Sequence, residues 1–143
     1  MIGKNMDIKI RYLSKTGNTK MIALEIAKEL NIEAKTIKEP ANSADILFLG
    51  GALYADKISS SLRKFINTLD NNIKQVVIFG TSASEKTVYD EIKNLLGEKN
   101  IVVNNKTFNC QGNFLFYLHG RPNKEDLDNA KDFAKDIIMS FDK

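Results

Sequence analysis

A chain of 143 residues, 43% hydrophobic and 27% charged, is long enough for one domain with its own core and too short for two. Its formal charge of +3 is spread as lysines among acidic residues, without the clustered Lys/Arg and interleaved aromatics of a nucleic-acid groove. No apolar run approaches the roughly 20 residues that span a bilayer, and no apolar leader follows Met1, so neither a membrane span nor a secretory signal is expected and a cytoplasmic location is.

Short apolar runs then alternate with amphipathic stretches. Residues 8–13 read as a first strand, followed by Ser14-Lys15-Thr16-Gly17-Asn18-Thr19, a turn-rich segment that also supplies helix-starting residues. Ile22, Ala23, Ile26, Ala27 and Leu30 fall on one helical stripe, which Asn31 ends. Residues 32–37 form a short second strand before Pro40. Residues 45–51 are apolar consecutively instead of alternately, the pattern of a strand buried on both faces. A loop through Tyr54 and Asp56 leads to a helix carrying Ile58, Leu62, Phe65, Ile66 and Leu69. Residues 75–80 repeat the doubly buried pattern and end in Thr81-Ser82-Ala83-Ser84. Val88, Ile92, Leu95 and Leu96 mark a third helix, with Gly97 expected as the left-handed residue just past its end. A more polar fifth strand from Ile101 to about Cys110 suggests a sheet edge. After an aromatic loop, Pro122 or Asn123 opens a last helix with Leu127, Ala130, Phe133, Ala134, Ile137 and Ile138.

Strands alternating with helices in this way predict one α/β domain over residues 1–143, a parallel sheet covered on both faces by right-handed crossovers. Ligands of such sheets sit beyond the carboxyl ends of the strands, where strand order reverses. Loops 14–19, 50–57, 80–85 and 110–121 should therefore share one rim. The single Cys110 and single His119 supply neither an intrachain disulfide nor a transition-metal cluster, in keeping with a reducing compartment. Cys110 reads as a small buried apolar residue.

The first of these loops has the makings of an anion receptor. A helix N-terminus offers unpaired N–H groups and a positive dipole end, Gly17 removes a Cβ where backbone approaches a ligand, and Ser14, Thr16 and Thr19 add neutral donors. Neither the nucleotide phosphate loop G-x-x-x-x-G-K-S/T nor the dinucleotide fingerprint G-x-G-x-x-G occurs. The competing reading is that the hydroxyls only cap the helix.

Ser14-x-Thr16-Gly17-Asn18-Thr19 directly after the first strand resembles the FMN-phosphate loop of the flavodoxins. The resemblance continues through Gly50-Gly51-Ala52-Leu53-Tyr54-Ala55, Gly80-Thr81-Ser82, Cys110-Gln111-Gly112 and Gly120-Arg121-Pro122, and so covers nearly the whole chain. It implies a three-layer flavodoxin-like fold with a five-stranded parallel sheet of order 2-1-3-4-5, and FMN bound non-covalently. By position, Ser14, Lys15, Thr16, Gly17, Asn18 and Thr19 would hold the phosphate. Tyr54 would stack on the isoalloxazine or be only a surface aromatic. Backbone groups of Ala52, Leu53 and Ala55 would face its redox-active side, and Thr81, Ser82 and Ala83 its pyrimidine edge.

Two departures from electron-carrier flavodoxins stand out: residues 81–84 contain no aromatic, and the chain is basic where the carriers are typically acidic. Phe114, Phe116 or Tyr117 in the aromatic segment 113–121 would cover the flavin, shape a pocket for a planar quinone-like acceptor, or simply extend the last strand. His119 is a candidate proton donor or a solvated loop residue. Lys15 and Arg121 either approach the phosphate or remain surface charges. The resemblance thus implies an electron carrier with a redox partner protein, or a small FMN-dependent oxidoreductase acting on a planar acceptor. A flavin-less phosphate-binding or signalling module is the reading from another class. The receiver-domain version of it lacks the acidic residues it needs at 12–14 and 49–51.

Overall fold

The computed structural model describes residues 5–112 and 120–141. Its elements alternate along the chain: β1 (Ile8–Tyr12), α1 (Asn18–Leu30), β2 (Ala34–Thr36), β3 (Ile46–Ala52), α2 (Ser60–Thr68), β4 (Val76–Ser82), α3 (Tyr89–Gly97), β5 (Val103–Gln111) and α4 (Lys124–Met139). The strands pair in parallel in the order β2-β1-β3-β4-β5, as expected. Every residue of β3 and β4 is buried, which is why their apolar residues run consecutively.

Alternate residues of these central strands serve opposite layers. Ile46, Phe48, Val77 and Phe79 join the buried stripes of α1 (Ile22, Ala23, Ile26) and α4 (Ala130, Ala134, Ile137). Leu47, Leu49, Val76 and Ile78 join α2 and α3 through Leu62, Phe65, Ile66, Ile92 and Leu96. Phe133 of α4 meets Phe48 edge-on at 6.5 Å, linking helix to sheet. Arg11, only 6% exposed, donates from each of its three nitrogens, to the carbonyls of Glu39, Ile10 and Pro40, and pins the connection after β2.

Several boundaries differ from the expected ones. β2 shrinks to three residues, whose side chains are half-buried or exposed. Gly97 remains inside α3, and Asn100, at φ 60°, takes the left-handed position instead, with the Ile101 N–H returning to the Leu96 carbonyl at 3.1 Å. Asn31 ends α1 as expected, at φ 57°. Thr81 and Ser82 belong to β4 and not to the loop after it. Asn123, and not Pro122, caps α4.

Candidate functional site

Parallel pairing places the carboxyl ends of all five strands on one rim. The chain leaves β1 for β2 on one side and returns to β3 on the other, so strand order reverses between β1 and β3. A crevice opens at such a point. The segments on either side of it are residues 13–17 and 53–57.

In the first segment, the Gly17 N–H donates to Ser14 Oγ at 3.1 Å, folding the turn back on itself. Gly17 adopts φ +94°, a left-handed backbone that disfavours any Cβ, and its carbonyl accepts the Met21 N–H at 3.1 Å to start α1. No side chain caps α1, and no acidic residue occupies its first turn. Contrast α2, where Ser59 accepts from the Leu62 N–H, and α4, where Asn123 and Asp126 form a reciprocal capping box. The hydroxyls of the 14–19 loop are thus not helix caps. Among the described residues, a Cβ built on Gly17 would meet nothing within 4 Å, so the space beside this glycine is open to them. An uncapped positive dipole end facing open space, edged by Ser14 and the exposed Thr16, fits a phosphate monoester. Thr19 faces the other way. Only 1% exposed, its Oγ1 lies 3.0 Å from Thr81 Oγ1, so this hydroxyl ties the first loop to the end of β4. Asn18 is buried beside it.

The second segment is a tight reversal. Tyr54 and Lys57 exchange backbone hydrogen bonds at 2.7 and 3.1 Å. Between them, Ala55 (φ 52°) and Asp56 (φ 64°) are both left-handed, the pattern of a type I′ turn. Half-buried Tyr54 reaches across the crevice: its hydroxyl accepts from the Lys15 N–H at 3.4 Å, and Lys15 Nζ lies 4.6 Å from its ring centroid. Burial raises the Tyr54 phenol pKa, and the Lys15 N–H opposes that rise. The Leu53 N–H is engaged with the Thr81 carbonyl at 3.3 Å, and Ala52 is a β3 residue registered against Thr81. Ala55 stands exposed at the tip of the turn.

Beyond β4, Ser82 donates to the Ser84 carbonyl at 2.9 Å and accepts from Asn109 Nδ2 at 3.3 Å. Asn109 Oδ1 is buried without a hydrogen-bond partner among the described residues. The Thr81 and Ser82 side chains face inward, leaving Ala83, Ser84 and Glu85 exposed. Ser84 Oγ donates to Asp56 Oδ1 at 3.5 Å, and Lys86 Nζ stands 3.6 Å from the same carboxylate, so the 53–57 and 83–86 tips meet. Neither bridge carries a sequence signal, because both are long-range, and the 55–56 turn is hidden as well, since Ala-Asp lacks the Asn-Gly signature of such turns.

Arg121 is brought elsewhere. Its Nε and Nη2 grip Asp126 at 2.6 and 2.7 Å, and Nη1 reaches Gln111 at 3.3 Å. Burial opposes ionisation of Asp126, but hydrogen bonds from Arg121 and the Asn123 N–H, with the Arg121 charge, outweigh it and hold the carboxyl below its ordinary range. Cys110 is a free, buried thiol whose pKa burial and the Asp126 charge push up to about 12. His119, Phe114, Phe116 and Tyr117 lie outside the described residues. Among the described residues no group of His, Cys, Asp and Glu could hold a metal ion, and no helix is long and apolar enough to cross a membrane.

A family model described as a flavodoxin domain matches residues 9–119. An uncharacterized protein of Methanocaldococcus jannaschii is 29% identical over 138 residues, 86% of this chain and 91% of its own. Among solved structures, a flavodoxin from the domain Archaea superposes with a TM-score of 0.76 at 16% identity, covering 95% of this chain and 99% of that one. The rubredoxin:oxygen oxidoreductase of Desulfovibrio gigas superposes with a TM-score of 0.75 at 12% identity, covering 94% of this chain but 36% of its own. At these identities the structural likenesses speak to the fold.

Proposed function

The chain belongs to the flavodoxin family, and on that premise we propose that it binds FMN non-covalently and passes electrons between redox partners. The observation that carries the reading is the start of α1: a helix end without a side-chain cap or first-turn acid, entered through a left-handed glycine that faces open space. The N–H groups of that first turn, with Ser14, Thr16 and Asn18, hold the phosphate by hydrogen bonds. Gly17 lets the backbone approach, and Thr19 acts through Thr81 by fixing the loop to the sheet. Bound FMN supplies one- or two-electron transfer at its isoalloxazine ring. Tyr54 would cover one face of that ring, where its electron-rich surface would disfavour negative charge. Of Ala52, Leu53 and Ala55, the exposed Ala55 would be the one to face the ring's redox-active side. Of residues 81–83, Ala83 would be the one to offer backbone groups to the pyrimidine edge, since the Thr81 and Ser82 carbonyls accept from Leu53 and Gly112 and their side chains are buried. A reducing compartment such as the cytoplasm suits the free Cys110 thiol.

Titration of FMN into the purified protein tests this: fluorescence quenching at micromolar concentration is expected. A colourless protein that leaves FMN fluorescence unchanged refutes it and leaves a flavin-less binding or signalling module on the same scaffold.

One observation favours a second reading, an FMN-dependent oxidoreductase acting on a planar acceptor. Residues 81–84 offer no aromatic, and Ala83, Ser84 and Glu85 just beyond β4 are exposed small or polar side chains, a tip that would suit access of a planar acceptor to the ring. Photoreduction separates the two. A long-wavelength absorbance that accumulates at half reduction supports the carrier, and direct bleaching supports the oxidoreductase.

A further inference from the structure

Among the described residues, Lys15 joins the two segments that flank the crevice. Lys15 belongs to the phosphate loop, yet both its backbone N–H and its ammonium are spent on Tyr54, at 3.4 Å from the hydroxyl and 4.6 Å from the ring centroid. Among the described residues no carboxylate lies within salt-bridge distance of Lys15, and the nearby Asp56 is occupied by Lys86. The ammonium therefore rests on an aromatic face as its only described charged-group contact, at an exposed position. An ammonium that stays exposed to solvent is weakly held by a ring. A phosphate monoester near neutral pH carries close to two negative charges, and a charge-assisted hydrogen bond to it is roughly twice as strong as a neutral one.

We propose that Lys15 is the residue that selects a phosphorylated flavin over its dephosphorylated counterpart, by leaving the Tyr54 ring for the phosphoryl group. This rests on the FMN reading above and deepens it. When a dianion enters loop 14–19, the ammonium has a better partner a few bonds away, and its departure uncovers the aromatic surface on which the isoalloxazine stacks. Riboflavin offers no such partner, so it must displace Lys15 from Tyr54 unaided. One side chain thereby rewards the phosphate and penalises its absence. The backbone bond from Lys15 to the Tyr54 hydroxyl keeps both segments in register while the side chain moves.

The test compares FMN and riboflavin binding in the native protein, in Lys15→Met, which keeps an unbranched apolar stem, and in Lys15→Arg, which keeps the charge. Loss of the charge is expected to weaken FMN about tenfold, or about 1.4 kcal/mol. Riboflavin is expected to bind severalfold more tightly to Lys15→Met, so that the FMN-to-riboflavin preference falls by more than tenfold. Lys15→Arg should restore most of it. In the native protein, the same preference should decline as salt is raised from low to about 1 M, where the Debye length shrinks to about 3 Å. An unchanged preference in Lys15→Met overturns the inference while leaving FMN binding intact, and so does a salt-independent preference in the native protein, which holds even if the variant fails to fold. If the native protein binds neither flavin, the FMN reading falls and takes this inference with it.

Discussion

Replacing Gly17 by Ala separates what the first loop does for the fold from what it does for a ligand. At φ +94° an L-residue costs about 1–2 kcal/mol more than glycine. Against this, alanine narrows the unfolded ensemble and returns about 0.4–1 kcal/mol. Nothing lies within 4 Å of the added methyl, so no clash enters the sum. The net loss is at most about 1.6 kcal/mol. With a urea slope of about 1–3 kcal/mol per molar, the midpoint falls by at most about 1.6 M. Binding should suffer more than stability, because the methyl enters the space assigned to the phosphoryl group. FMN affinity is expected to fall by at least tenfold, about 1.4 kcal/mol, while riboflavin affinity stays put. Gly50→Ala is the control. Its Cβ would stand 2.2 Å from ring atoms of the fully buried Phe79, and the forced repacking costs about 3 kcal/mol of stability. A folded Gly17→Ala protein that binds FMN as tightly as the native one would refute the argument that close backbone approach at this turn holds the phosphate.

Three further outcomes follow from the same geometry. Ala55→Gly relieves a left-handed alanine and is expected to raise stability by about 0.5 kcal/mol after the entropy of the added glycine, read as a higher thermal midpoint. Asp126 ionises below its unfolded value of 3.8, so its contribution is fully present above that value and disappears as pH falls through the lower, folded one. Asp126→Asn should therefore be less stable than the native protein near neutrality by about 1–3 kcal/mol, with the gap closing below about pH 4 in urea unfolding series. Cys110, with its thiol pKa pushed up to about 12, should resist a disulfide reagent at pH 8 in the folded protein and react at once when unfolded.

The layers were legible because burial writes itself into periodicity. Ile22, Ala23 and Ile26 face the sheet as their spacing predicts, and the uninterrupted apolar runs of β3 and β4 are buried throughout. Punctuation was read less well. Gly97 looked like the end of α3, but left-handed backbone is also open to asparagine, and Asn100 takes it. Thr81 and Ser82 looked like loop residues because hydroxyls favour turns. They extend β4 because Thr19 and the Ser84 carbonyl satisfy those hydroxyls, partners 62 and two residues away. The rim contacts that shape the crevice are tertiary in the same sense. Lys15 meets Tyr54 across 39 residues, and Asp56 meets Ser84 across 28. No local propensity encodes either. Arg121 could be assigned to the phosphate only while its pairing with Asp126 was unseen.

The glycines at the ends of β3 and β4 set a boundary for anyone wishing to retune this protein. A methyl on Gly51 would strike Leu62 at 2.5 Å, and one on Gly80 would strike the Gly51 carbonyl at 2.6 Å and Val88 at 2.7 Å. The sheet beneath the rim therefore tolerates almost no added bulk at these positions. Libraries aimed at the rim should leave 50–53 and 80–82 alone and diversify 54–57 and 83–86, where the side chains are exposed or half-buried above a close-packed frame.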